Sequence, residues 1–225
     1  MQTGRSSIPS RFRDRADAGR QLGEALSKYA RRDDVVVLAL PRGGVPVGFE
    51  VAQLLQAPLD VFVVRKLGVP GHEELAFGAI ASGGARILNR DVVRHIGLSS
   101  EAIDAISERE RAELTRRERL YRGDRPEREL GEKTVILVDD GLATGASMRA
   151  AIVAVRSHGP AGIVVAVPTA ALETCSALSA EVDELVSLLR PESFYAVSLW
   201  YESFEQISDD DVRTLLERAT RGDAE

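Results

Sequence analysis

VILVDDGLATGASM, residues 135–148, ends an apolar run on two adjacent acids and follows them with small residues, a threonine and a serine. A short apolar run rich in β-branched residues suits a strand buried on both faces of a parallel sheet. Beyond it, Met148, Ala151, Ile152 and Val155 recur at helical spacing. Strand, sharp turn and helix put Asp139 and Asp140 at the carboxyl end of a central strand, where open α/β sheets bind ligands. Gly141, Ala143, Gly145 and Ala146 let backbone amides come close to a ligand, and Thr144 and Ser147 add hydroxyls at the helix N-terminus. That half of the turn suits a phosphate. The two carboxylates suit vicinal sugar hydroxyls, which donate to them. A ribose 5-phosphate would satisfy both halves.

Working outward, VVVLAL (35–40) reads as another buried strand stopped by PRGG, followed by a helix from about Val45 to Leu55. LDVFVVRK (59–66) reads as the next strand, which completes a βαβ unit. Towards the C-terminus, GIVVAVPTA (162–170), a helix over roughly 170–180 and DELVSLL (183–189) extend the alternation. Upstream, the first ten residues read as a loose tail, and Ala18, Leu22, Ala25, Leu26 and Tyr29 form the stripe of an amphipathic helix starting at Asp14. The expected fold class is α/β, with a five-stranded parallel core.

Two stretches depart from this rhythm. Residues 67–90 carry five glycines and a proline, which predicts a mobile excursion with short strands. From Ser99 a charged segment carries apolar positions at Ile103, Ile106, Leu114 and Tyr121, with pairs such as Glu113 and Arg117, as in a helix with a solvated face. A last helix begins at SDDDVRTLLERA, where Ser208 can cap and Asp209 to Asp211 complement the positive helix end.

The 225 residues are 44% hydrophobic and 28% charged, which fits one sizeable α/β domain with an adequate core. A net charge of -6 disfavours a sequence-independent grip on nucleic acid. One cysteine, Cys175, excludes an internal disulfide, and three histidines, His72, His95 and His158, form no clustered zinc-type set. No signal-peptide pattern and no apolar run near the roughly 18 residues of a membrane span is present. The expected setting is cytoplasmic. A Walker B reading of the acids lacks its partner G-x-x-x-x-G-K-[ST] motif, and no G-x-S-x-G elbow supports a hydrolase.

The 135–148 stretch resembles the phosphoribosyl-diphosphate (PRPP) motif of the type I phosphoribosyltransferases, in a version close to that of the adenine enzymes. Hypoxanthine-guanine enzymes usually carry an acid where this chain has Ala143. LPRGG (40–44) resembles the family's pyrophosphate loop, and VVRKLGVPGHEE (63–74) the segment leading into its flexible catalytic loop. The resemblance implies that Asp139 and Asp140 hold the ribose, and that Ala143, Thr144, Gly145, Ala146 and Ser147 hold the 5-phosphate. It implies that Arg42 and Gly43 face the diphosphate, with a cis peptide before Gly43, and that Arg65 or Lys66 is a second cation. Mg2+ would be held mainly by substrate oxygens beside Asp139 and Asp140. Small-molecule partners, PRPP and a nucleobase, are implied, as is a homodimer.

The resulting layout is one domain over residues 1–225, with its core at about 33–190. A hood comes from about 10–30 and 190–220, and a mobile loop and helical insertion occupy about 67–125. Phe194, Tyr195, Trp200, Tyr201 and Phe204 gather five of the chain's eleven aromatics, either as a core cap or as a platform for a heterocycle; Phe194, Tyr195 and Trp200 are the base-stacking candidates. His72, Glu73 and Glu74 could assist proton transfer or be merely solvated, and Cys175 reads as a buried apolar residue. The expected activity is transfer of ribose 5-phosphate from PRPP to a base, purine-like by preference. The alternatives are a PRPP or nucleotide sensor without efficient transfer, and a transferase with a non-nucleobase acceptor.

Overall fold

The computed structural model describes residues 11–123 and 125–222, with the backbone alone at 73–75. Five parallel strands form the main sheet in the order β2-β1-β6-β7-β8: β1 (Val35–Ala39), β2 (Leu59–Val61), β6 (Thr134–Val138), β7 (Gly162–Thr169) and β8 (Glu184–Leu189). Register runs straight across the centre, Val37 opposite Ile136 and Ile136 opposite Val164.

Alternation along each strand explains the layering. Val35, Val37 and Ala39 of β1 join Ile136, Val138, Val164 and Ala166 in one core; Val36, Leu38, Val135, Leu137, Ile163 and Val165 join the other. The first core is closed by helices α1 (Arg15–Ala25), α2 (Gly44–Leu55) and α7 (Asp209–Gly222), through Leu22, Phe49, Val212 and Leu216. The second is closed by α5 (Ala146–Arg156) and α6 (Leu172–Ser179), through Met148, Ile152, Val155, Cys175 and Leu178. Cys175 is buried as expected. Each fully buried Val, Leu or Ile contributes roughly 1.5–3 kcal/mol. Only strands apolar on both faces can sit between two helical layers, which is why these runs are continuous rather than alternating.

Residues 59–66 do not form one strand. The chain leaves the main sheet after Val61, and Val63 is held by Ser82, with the Val63 amide donating to the Ser82 hydroxyl at 3.0 Å and the Ser82 amide to the Val63 carbonyl at 2.9 Å. It then enters an antiparallel sheet of β3 (Val64–Val69), β4 (His72–Ala81) and β5 (Arg86–Leu88). The glycine-rich excursion is therefore hydrogen-bonded structure. Three of its glycines take turn positions, Gly71, Gly83 and Gly84 all having positive φ, while Gly68 and Gly78 lie within β3 and β4. Leu67, Phe77 and Ile80 anchor the sheet to the first core.

A short helix absent from the sequence reading, α3 (Arg90–Ile96), is capped by Asn89 and ended by Gly97 in the left-handed conformation. Helix α4 (Ser100–Arg122) buries the expected stripe, Ile103, Ile106, Leu114 and Tyr121, and Arg117 donates to Glu113 at 2.8 Å. Its last turn is fixed by Arg122, whose guanidinium reaches both Asp60 oxygens; neither side chain exceeds 9% exposure. Helix α1 is shorter than its stripe, ending at Ala25, which is exposed, while Leu26 and Tyr29 bury from a following 3-10 turn. Ser208 caps α7, accepting from the Asp211 amide at 3.1 Å. The tail expected over the first ten residues lies outside the described residues.

Candidate functional site

Strand order places the site. From β1 the chain moves outward to β2 and later returns on the other side of β1 as β6, so the carboxyl ends of β1 and β6 flank a topological switch point. Residues 41–44 leave β1 there and residues 139–145 leave β6 beside them. The two loops touch: a Cβ on Gly43 would lie 2.0 Å from Asp140 Oδ2, and one on Gly44 2.7 Å from the Val138 carbonyl oxygen. The paired glycines are what let the loops interlock. The Pro41–Arg42 peptide is cis. This is one bond before the position that the resemblance implies.

Asp139 and Asp140 are half-buried at the strand end. Asp139 Oδ1 accepts from the Asp140 amide at 2.8 Å. Burial, and then the charge of Asp140, push the Asp139 carboxyl well above its usual range. Burial also raises Asp140, against the opposing pull of Arg15.

Arg15 was not among the candidates read from the sequence. It sits at the start of α1, 8% exposed, and its Nε and Nη2 both lie 2.8 Å from Asp140 Oδ2. Its Nη1 donates to the Glu205 carbonyl at 2.7 Å, and its guanidinium lies 3.7 Å over the Phe204 ring. Tyr201 packs between Phe12 and Phe204 and donates its hydroxyl to the Asp140 carbonyl at 2.6 Å. The one available signal was periodic: Arg15 stands three residues before Ala18 and seven before Leu22, a charge on the face that buries.

The turn after the acids ends at Gly145, with φ 70°, which opens α5. Thr174 braces it, donating to the Ala143 carbonyl at 2.6 Å. Ala143, Thr144, Ala146 and Ser147 are exposed around the mouth of this turn, and Gly145 is buried beneath them. The first amides of a helix lack intrahelical acceptors, so this exposed rim presents donors and a partial positive charge. It can hold an anion while the half-buried acids beside it accept hydroxyls.

Arg42 is partly exposed, with Nη1 3.9 Å from Asp209 at the start of α7; Tyr121 donates to the same Asp209 oxygen at 2.6 Å. Arg65 instead pairs with Glu110 on α4 at 2.5 Å. Glu110 and Tyr121 are separated by about 16 Å of helix, so Arg65 and Arg42 occupy different regions of α4's face. Lys66, next to Arg65, is exposed. His72 begins β4 and is exposed. The side chains of Glu73 and Glu74 lie outside the described residues. Among the hood aromatics, Phe194 and Trp200 stack with centroids 6.2 Å apart, Tyr195 is 86% exposed, and the Trp200 Nε1 donor is buried without a partner. Among the described residues no three His, Cys, Asp or Glu side chains gather to hold a metal. No described helix is long and apolar enough to cross a membrane.

Comparison with known proteins bears on the family and the fold. The model of the phosphoribosyl transferase domain matches residues 12–198. Two Mycobacterium tuberculosis proteins, from strains CDC 1551 and H37Rv and provisionally named phosphoribosyl transferases, are each 49% identical over 214 residues. The match takes in 95% of this chain and 48% of each of them, so the chain spans about half their length. The crystal structure of TT1426 from Thermus thermophilus superposes with a TM-score of 0.82 at 43% identity, covering 92% of this chain and 98% of that one.

Proposed function

This chain belongs to the phosphoribosyl transferase domain family, and on that premise we propose that it transfers ribose 5-phosphate from PRPP to a nitrogen of a nucleobase, purine-like by preference, releasing pyrophosphate. The observation that carries the reading is the interlocked pair of loops at the switch point, carboxylates beside an anion-binding helix start, with an arginine on the facing loop.

In this reading Asp139 and Asp140 accept from the ribose hydroxyls, and the rim of Ala143, Thr144, Gly145, Ala146 and Ser147 takes the 5-phosphate. Arg42 and the backbone at Gly43 take the diphosphate. Lys66 is the better second cation, since it is exposed while Arg65 is engaged by Glu110. As the base nitrogen bonds to the anomeric carbon, the bond to the diphosphate oxygen breaks, its electron pair leaves with pyrophosphate, and the proton of the base N–H is released. Positioning and stabilisation of that leaving charge supply most of the rate in such a step. A lone acid pair cannot enclose a divalent ion, which suits Mg2+ carried mainly on substrate oxygens beside Asp139 and Asp140; when bound it would neutralise the departing diphosphate. Phe194 and Trp200, already stacked on each other, offer the aromatic face for the base. A homodimer working in the cytoplasm completes the proposal.

The test is pyrophosphate release from PRPP and Mg2+ with each common purine and pyrimidine separately and a control without base. Release with one base identifies the acceptor. PRPP binding without release for any base would replace transfer to a nucleobase by the sensor or the unusual acceptor; absence of PRPP binding would refute the reading.

A further inference from the structure

We propose that Arg15 is a positioning residue for the ribose: from helix α1 it fixes one oxygen of Asp140, so that the other faces a sugar hydroxyl as a charged acceptor. The inference rests on the functional reading above and assigns to the N-terminal segment a part in the site.

The geometry is specific. Two guanidinium nitrogens converge on the single oxygen Asp140 Oδ2, each at 2.8 Å. The guanidinium cannot drift, because its third nitrogen is tied to the Glu205 carbonyl and its plane lies 3.7 Å over Phe204. Asp139 is committed in the same way through Oδ1, which accepts from the Asp140 amide. Apart from each other, the two carboxyls have no further described hydrogen-bond partner. Two carboxylates thus offer one oxygen each, as a vicinal diol requires.

Charge matters as much as orientation. Two half-buried acids side by side favour sharing a proton, and a protonated acid is a poorer acceptor for a hydroxyl. The groups facing Asp140 are Asp139 on its own loop, Arg15 from α1, and Tyr201 from the C-terminal segment. Burial, and then the Asp140 charge, push the Tyr201 hydroxyl up, so it stays a neutral donor. Arg42 on the facing loop is directed to Asp209, and Glu205 approaches only through its backbone, its own residue being exposed. Arg15 is the opposing charge that lowers Asp140.

The experiment measures Mg-PRPP affinity by calorimetry from pH 6 to 9 for the wild type, Arg15→Lys and Arg15→Leu, together with a carbon-13 NMR titration of the aspartate carboxyls in the ligand-free proteins. Arg15→Leu should weaken binding at pH 7 by about ten- to hundred-fold, the scale of a lost hydrogen bond to a charged group. Affinity should recover as pH rises, and the acid pair should titrate at higher pH than in the wild type. Arg15→Lys, which keeps the charge but not the two-nitrogen contact, should fall between. If Arg15→Leu does not fold, Arg15→Lys carries the comparison, since its single ammonium should still lower affinity and shift the titration. Wild-type binding with unchanged affinity and unchanged titration in the folded variants overturns this inference alone; absence of PRPP binding by the wild type overturns the functional reading and the inference with it.

Discussion

Replacing Gly43 by alanine adds one methyl group at the point where the two site loops meet. Its carbon would lie 2.0 Å from Asp140 Oδ2 and 2.6 Å from Asp140 Cγ, where ordinary contact begins near 3.4 Å. The carboxylate therefore has to retreat by about 1.4 Å, or the loop has to move by as much. Backbone conformation offers no objection, since Gly43 has φ -59° and ψ -33°, which alanine adopts freely. The whole penalty is steric and electrostatic. Asp140 is held at 2.8 Å by an Arg15 that is itself pinned by the Glu205 carbonyl and Phe204, so arginine cannot follow the carboxylate without breaking a second contact. Overpacking of this kind costs about 1–3 kcal/mol, and a weakened charge-assisted hydrogen bond adds about 1.5–3 kcal/mol. We expect a urea-unfolding loss of about 2.5–6 kcal/mol and, because misplacement by an ångström at a site costs roughly a hundredfold, a hundredfold fall in kcat/KM for pyrophosphate release. Gly43→Ala with wild-type stability and wild-type PRPP affinity would refute the claim that the loops interlock through this glycine.

Two further substitutions probe separate features. Asp60→Asn should destabilise the fold by about 3–5 kcal/mol in urea by stranding the buried Arg122, whereas Asp60→Leu with Arg122→Met should restore most of that loss; equal instability of both would show that α4 does not depend on charge pairing there. Burial and the charge of Asp140 hold the Asp139 carboxyl well above its ordinary 3.8. The folded state therefore binds that proton more tightly than the unfolded state, and ionised Asp139 costs stability above about pH 4, a cost that fades as pH falls to that value. Asp139→Asn, which keeps an oxygen for the Asp140 amide, should raise stability at pH 7 by on the order of 1 kcal/mol and give no gain near pH 3, while losing PRPP binding. An equal gain at both pH values would mean that the charge is not the cause.

The sequence alone determined the elements with one dominant local signal. Continuous β-branched runs gave β1, β6 and β7, because a strand covered on both faces has no polar side to disguise it. The acids and glycines at 139–145 were legible as a site because strand, turn and helix N-terminus are contiguous in the chain. Long-range pairing decided the rest. Residues 59–66 look like one strand, yet Ser82, nineteen residues after Val63, captures that backbone and splits the run between two sheets. The glycines of 67–90 signalled turns without revealing that the turns join paired strands. Arg65 and Lys66 are neighbours in sequence, but β-strand alternation and Glu110 on α4 separate one from the other. Arg15 shows the division most plainly. Helical spacing places it on a buried face, but only the tertiary structure sets that face against Asp140, 125 residues away. A local pattern can state that a charge is buried; the identity of its partner depends on which distant strand the sheet brings alongside.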